Sequence, residues 1–219
     1  MTALLQLSIP AVSFVVPPAV GYLCGALPWG LWLGRWFKHV DVRAMGSGNL
    51  GATNVYRSLG PALGITTLAL DIAKGVLPTW LLPQSGLAAA WPSAEWCRIA
   101  VALAAVAGHM WTCFAGFKGG KGVATTVGAL LAIAPLALGI FVAVFVVAVA
   151  ITRYISVGSI LGALAFAIAL WFLSPGGPAS PTFLAGALLA ALVIARHRDN
   201  ILRLARRQER RFSFKGGKS

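Results

Sequence analysis

Charged residues are sparse and unevenly spaced along the chain, leaving uncharged, mostly apolar runs at 1–34, 75–94, 99–117, 122–152 and 154–195. A helix needs ~18–20 apolar residues to span the hydrocarbon core of a bilayer, so several of these runs predict membrane spans. The first lies within about Pro10–Gly34 and the second runs roughly from Leu59 to Leu82. A third covers about Cys97–Gly116. Residues 154–173 and 182–196 make two more, separated by the uncharged turn Ser174-Pro175-Gly176-Gly177-Pro178. The run 122–152 would be about 46 Å long as one helix, too long for one upright crossing and too short for two full ones. Pro135 and Gly139 offer a break that divides it into two short segments, or into one span and a re-entrant piece.

Charge placement sets the expected orientation. The connection from Arg35 to Arg57 carries four basic residues and one acid, and the stretch around Lys118 and Lys121 is again basic. The segment after Ala195 holds nine basic and two acidic residues. Basic loops stay on the cytoplasmic side, so all three are expected there, with the N-terminus outside and the C-terminus inside. Returning from inside to inside takes an even number of spans. The expected fold is therefore an all-α integral membrane protein, a polytopic helical bundle of seven transmembrane helices, with five as the alternative. It forms one domain over 1–219, of which 206–219 is a basic cytoplasmic tail expected to be solvated or headgroup-bound.

Composition agrees: 58% of residues are hydrophobic and 11% charged, far from a soluble domain. The net charge of +13 reads as orientation and attraction to anionic headgroups and substrates, not as nucleic-acid binding. Residues 1–9 lack the basic region of a cleaved signal peptide. Cys24, Cys97 and Cys113 are odd in number and have no CxxC spacing, so they read as apolar filler.

Against this background one stretch stands apart: Gly46-Ser47-Gly48-Asn49-Leu50-Gly51-Ala52-Thr53-Asn54-Val55-Tyr56-Arg57. Glycines let backbone N–H groups approach an anion, small polar side chains add donors, and Arg57 supplies a planar fork suited to phosphate. A second stretch, Gly119-Gly120-Lys121-Gly122-Val123-Ala124-Thr125, follows one helix and opens another, where N–H groups and a lysine favour anions. It is not a nucleotide P-loop, because Ala115 stands where the first glycine would be and Gly122 where the hydroxyl would be. A third, His197-Arg198-Asp199-Asn200-Ile201, ends the last span. If helical, it puts His197 and Asn200 on one face. All three are expected at the cytoplasmic face.

Asp71 and Lys74 lie inside the second span, three apart, where charges are costly unless paired or functional. An ion pair is expected, with support of the phosphate site as the other reading. His109, Ser156 and Ser159 are each more consistent with structure than with chemistry when taken singly. There is no HExxH, no carboxylate pair and no cysteine–histidine cluster, so no metal site and no cofactor are expected. A His-four residues-Asp acyltransferase pattern is also missing, since no histidine has an aspartate at that distance.

GSGNLGATNVYR, FKGGKGVATTVG and HRDNILRL, in this order, resemble the three cytoplasmic motifs of the bacterial acyl-phosphate:glycerol-3-phosphate acyltransferase family, PlsY, over essentially the whole chain. One departure is His109-Met110-Trp111-Thr112-Cys113-Phe114, which lacks the proline that follows this histidine in the family. The resemblance implies transfer of a fatty acyl group from acyl phosphate to glycerol 3-phosphate. The products are 1-acylglycerol 3-phosphate and inorganic phosphate, the first acylation of phospholipid synthesis. On that reading Ser47, Arg57 and Lys121 hold the glycerol phosphate, and His197 and Asn200 position its hydroxyls, with Ser159 a weaker candidate. Gly119 and Gly120 give N–H groups to the donor phosphate, and Asn49 and Thr53 shape the loop. The mechanism implied is substrate-assisted, with His197 as general base the competing reading. The implied setting is the bacterial inner membrane, with the active site on the cytoplasmic side, membrane lipids as surroundings and a monomeric chain. A transporter for an anionic solute would be the rival class; it calls for paired interrupted spans, and no such internal symmetry is visible.

Overall fold

The computed structural model describes residues 2–213, with side chains from residue 12 onward; the expected tail of 206–219 is described only as far as residue 213. The described residues form ten α-helices: α1 (Thr2–Ala26), α2 (Trp29–Lys38), α3 (Ala52–Leu59), α4 (Pro61–Leu81), α5 (Ala94–Met110), α6 (Val123–Ile133), α7 (Pro135–Thr152), α8 (Ile155–Leu173), α9 (Pro181–Arg196) and α10 (Arg198–Ala205). The protein is thus an all-helical integral membrane protein. Five segments are long and apolar enough to cross a membrane: Val12–Lys38, Pro61–Gln84, Ala94–Ala115, Pro135–Thr152 and Ile155–Leu173. Val123–Ile133 and Pro181–Arg196 are shorter apolar helices, about 16 and 24 Å long. Lipid-compatible faces are visible in side chains such as Phe172, Ile151 and Leu136, each more than three-quarters exposed. The long run 122–152 breaks at Ala134, just before Pro135, while Gly139 lies inside α7. The expected first span is not one helix to Gly34: α1 ends at Ala26 and α2 starts after Pro28. Proline lacks an N–H and turns the preceding residue away from helix.

Contacts cluster into two compact units, Met1–Pro28 with Ala69–Ile133, and Trp29–Leu68 with Ala134–Ser219. In the first unit α1 packs along α5 through small residues. A side-chain carbon at Gly25 would overlap the Ala105 backbone, and one at Gly108 would overlap Tyr22. Such spacing lets helix backbones approach closely in a membrane, where packing and not hydrophobicity drives association. The C-terminal end of α1 leaves carbonyls with no helical partner. Side chains from neighbouring segments cap two of them: Thr112 Oγ1 donates to the Ala26 carbonyl, and Lys74 Nζ donates to the Leu27 carbonyl at 2.7 Å.

In the second unit α7 and α8 form a hairpin whose turn is Arg153, held at φ 60°. Gly158 and Gly162 of α8 lie against Phe145, Val149 and Phe141 of α7. The α8–α9 pair follows, with Gly186 against Phe166 and Leu170. The apolar bodies of these helices place their polar ends, and the loops between them, where chemistry can be assembled.

Candidate active site

In the second unit the first glycine-rich stretch is organised by one buried amide. Asn54, 5% exposed, donates through Nδ2 to the carbonyls of Asn49 (2.9 Å), Met45 (3.1 Å) and Val42 (3.2 Å). Its Oδ1 accepts the Ser47 N–H at 2.9 Å. Gly46 and Gly48, at φ 59° and 71°, make the turn around it, a conformation that side chains disfavour. Asn49 Oδ1 accepts the Gly51 N–H at 2.8 Å, just where α3 begins. The loop therefore folds around its own asparagines and leaves Ser47 exposed and Thr53 half-buried. Upstream, Asp41 caps a short turn and pairs with Arg43 at 2.6 Å and Arg35 at 3.1 Å. The Arg43 bonds above all hold its carboxyl far below the ordinary carboxylate range.

Arg57 lies on the last turn of α3, half-buried, with Nη2 donating to the Arg210 carbonyl at 3.1 Å. Burial pushes its pKa down, Glu209 pulls it back up, and Arg210 and Arg203 push it down again. It remains charged at any ordinary pH. A guanidinium held among other cations is a natural recipient for phosphate.

The α9–α10 junction supplies the next group. His197 is not part of a continuous helix with Asn200, as expected from the sequence; α9 ends at Arg196, His197 turns the chain, and α10 begins at Arg198. Both side chains are nonetheless buried, at 2% and 5% exposed. His197 Nδ1 lies 2.7 Å from the Val193 carbonyl. A carbonyl only accepts, so Nδ1 carries a proton. Asn200 Nδ2 donates to Glu209 Oε1 at 2.6 Å.

Glu209 is the residue that sequence reasoning missed. Its side chain is 6% exposed and takes three donors: Asn200, Ser156 Oγ at 2.9 Å and Arg203 Nε at 2.8 Å. Burial works to raise its pKa, but the bonds from Arg203, Asn200 and Ser156 outweigh it and keep the carboxyl below its usual range. The chain around it docks rather than trailing into solvent. Phe212 N–H donates to the Arg153 carbonyl at 2.6 Å, and its ring lies 5.2 Å from that of Tyr56. The available signal was a lone acid amid arginines in the last turn of sequence. Ser159 is buried and gives its hydroxyl hydrogen to the Ile155 carbonyl at 2.9 Å; Ser156, one turn earlier, is the serine that meets the cluster.

Gly119, Gly120 and Lys121 belong to the first unit. The N–H groups of Gly119 and Gly120, expected to face a phosphate, make bonds within the protein. Gly119 N–H donates to the Met110 carbonyl at 3.1 Å and Gly120 N–H to the His109 carbonyl at 3.0 Å. These bonds fold the loop back on the end of α5, so the glycines shape it while Lys121, half-buried, supplies its charge. The first-turn N–H groups of α6 have no partner within the helix. No cluster of three or more metal-ligating side chains occurs among the described residues.

Comparison with known proteins turns this geometry into a family assignment. The sequence model of the glycerol-3-phosphate acyltransferase family matches residues 15–207. The chain belongs to the glycerol-3-phosphate acyltransferase family. It is 47% identical to the glycerol-3-phosphate acyltransferase of Anaeromyxobacter sp. (strain Fw109-5) over 193 residues, covering 88% of this chain and 93% of that one. It is 45% identical to that of Geobacter sulfurreducens over 196 residues, covering 89% and 95%. Its fold resembles the crystal structure of PlsY, an integral membrane glycerol 3-phosphate acyltransferase, in the glycerol 3-phosphate form (TM-score 0.81, 34% identity, 91% of this chain and 95% of that chain). The lysophosphatidic acid form of PlsY gives a TM-score of 0.79 at 34% identity, covering 92% and 96%. Family membership makes the chain a membrane acyltransferase of lipid synthesis and resolves the choice between acyl transfer and solute transport.

Proposed function

We propose that the protein transfers a fatty acyl group from acyl phosphate to glycerol 3-phosphate, releasing 1-acylglycerol 3-phosphate and inorganic phosphate. The C1 hydroxyl oxygen of glycerol 3-phosphate attacks the acyl carbonyl carbon. The bond from that carbon to the phosphate oxygen breaks, and the departing phosphate takes the hydroxyl proton. The donor is already an activated anhydride, so positioning and charge stabilisation suffice. Arg57, Lys121 and Ser47 hold the glycerol phosphate, and His197 and Asn200 position its hydroxyls, with Ser159 a weaker candidate for the same role. Asn49 and Thr53 keep the first loop in shape, and Gly119 and Gly120 shape the second.

The observation that carries the substrate-assisted mechanism is the state of Glu209. It is the buried carboxylate beside Asn200, yet both its oxygens are engaged and its pKa lies below normal. It is therefore a poor base. His197 Nδ1 is oriented by the Val193 backbone carbonyl. The donor's own phosphate is the better proton acceptor. The basic loops favour the cytoplasmic side of the bacterial inner membrane for this chemistry. Counting α6 and α9 as short crossings gives seven spans, with the N-terminus outside.

The test supplies purified protein in lipid with glycerol 3-phosphate and either palmitoyl phosphate or palmitoyl-coenzyme A. Phosphate and lysophosphatidic acid formed one-to-one from palmitoyl phosphate alone support the reading; efficient use of the thioester overturns the donor assignment. A bell-shaped rate profile that loses its acid limb in His197→Gln would replace the donor phosphate by His197 as base.

A further inference from the structure

The first unit contains a buried polar chain that the transfer chemistry does not use. Asp71 and Lys74 on α4 are 2% and 6% exposed, and Lys74 Nζ meets Asp71 Oδ1 at 2.8 Å. Asp71 Oδ1 also lies 3.7 Å from Nδ1 of His109 on the last turn of α5. The same Nδ1 is 3.0 Å from Oγ1 of Thr125, a fully buried residue in the first turn of α6. The opposite edge of the imidazole, at Nε2, packs so closely on Gly120 that a side-chain carbon there would overlap it. The His109 and Met110 carbonyls take the N–H groups of Gly120 and Gly119. One imidazole therefore touches the glycine loop, the helix that follows it and the ion pair on a third helix.

Helix packing alone does not require this arrangement. α4 and α6 already approach closely through Gly75 and Gly128, each lying against the backbone of the other helix. Buried charges within a span are expensive and are retained where they do something. What this network touches is the backbone leading to Lys121. We propose that His109, braced by Asp71, Lys74 and Thr125, is the positioning residue that sets the Gly119–Lys121 backbone and so aims the Lys121 ammonium at its phosphate. This rests on Lys121 contacting a substrate phosphate.

The experiment is a double-mutant cycle on the full-length protein in lipid, with palmitoyl phosphate and varied glycerol 3-phosphate. His109→Asn and Thr125→Val are each made alone and in a Lys121→Ala background. Thr125→Val keeps the side-chain shape and removes only the hydroxyl on Nδ1, which covers the case in which His109→Asn fails to fold. Each single variant is expected to raise the KM for glycerol 3-phosphate by about tenfold with a smaller change in kcat, and to add nothing further once Lys121 is alanine. Losses that multiply in the Lys121→Ala background, or an unchanged KM in well-folded Thr125→Val, overturn the inference. If Lys121→Ala by itself leaves the KM unchanged, the assignment of Lys121 to phosphate is what fails.

Discussion

Asn200 gives its side-chain amide to Glu209 across 2.6 Å, and through that bond the last described stretch of chain is fastened to the helix after α9. The same carboxylate collects Ser156 and Arg203. A carboxyl whose folded pKa lies below its unfolded value, about 4.3 for glutamate, stabilises the protein above that value. It loses the contribution as pH falls through the folded pKa. Glu209→Gln is expected to lower stability at neutral pH by about 1.5–3 kcal/mol, the range for hydrogen bonds to a charged group. It should also flatten the acid limb of melting temperature against pH. Thermal denaturation of the two proteins from pH 3 to 8 checks both.

Arg57→Lys keeps the charge and discards the fork. The loss of two-pronged phosphate binding should raise the KM for glycerol 3-phosphate by about tenfold, equivalent to about 1.4 kcal/mol. The bond to the Arg210 carbonyl is also weakened. Steady-state kinetics with saturating acyl phosphate reads the effect; an unchanged KM removes Arg57 from the acceptor site.

Asn54→Asp exchanges two amide hydrogens for a carboxylate that faces the Val42, Met45 and Asn49 carbonyls. Orphaning such groups costs about 1–3 kcal/mol each. The Gly46–Gly51 loop should lose its shape, and activity should fall by more than about tenfold. Asn54→Ser, which keeps a small hydrogen-bonding group, is expected to fall between the two in both activity and melting temperature.

Arg207 takes φ 57° on an exposed stretch just after α10. L-residues lose roughly 1–2 kcal/mol in that conformation, and glycine does not. Arg207→Gly should raise the melting temperature by roughly 2–4 °C while leaving the KM for both substrates in place.

Much of this architecture is legible in the sequence. Spans built of uninterrupted apolar sequence needed only length and charge to find, and Pro135 marks the break in the run 122–152. The polar loops were visible because small and glycine residues are conspicuous in an oily chain. What was hidden depended on partners distant in sequence. Glu209 looked like one more solvated residue because its donors, Ser156 and Asn200, come from other segments. Asn54 stood within the first stretch without an assigned part, since four partners on one amide can be counted only in three dimensions. The bonds from the Gly119 and Gly120 N–H groups to carbonyls at the end of α5 have no signature in the motif itself. The break between α1 and α2 at Leu27–Pro28 had no distinct mark either, since Pro17 and Pro18 lie inside α1 without ending it.

The ion pair of Asp71 and Lys74 is made within one helix, three residues apart. Its charges can therefore be neutralised as soon as α4 winds, before any other span is present. A lone aspartate or lysine at a span's centre adds about 2.5–3.5 kcal/mol to the free energy of insertion, and two unpaired ones would hinder entry of this segment during synthesis. Partners placed on different helices would meet only after both had entered the lipid. Placing them on the same helix lets the segment leave the insertion machinery as a nearly neutral rod, and defers its contacts with His109 and the Leu27 carbonyl to the later stage of assembly.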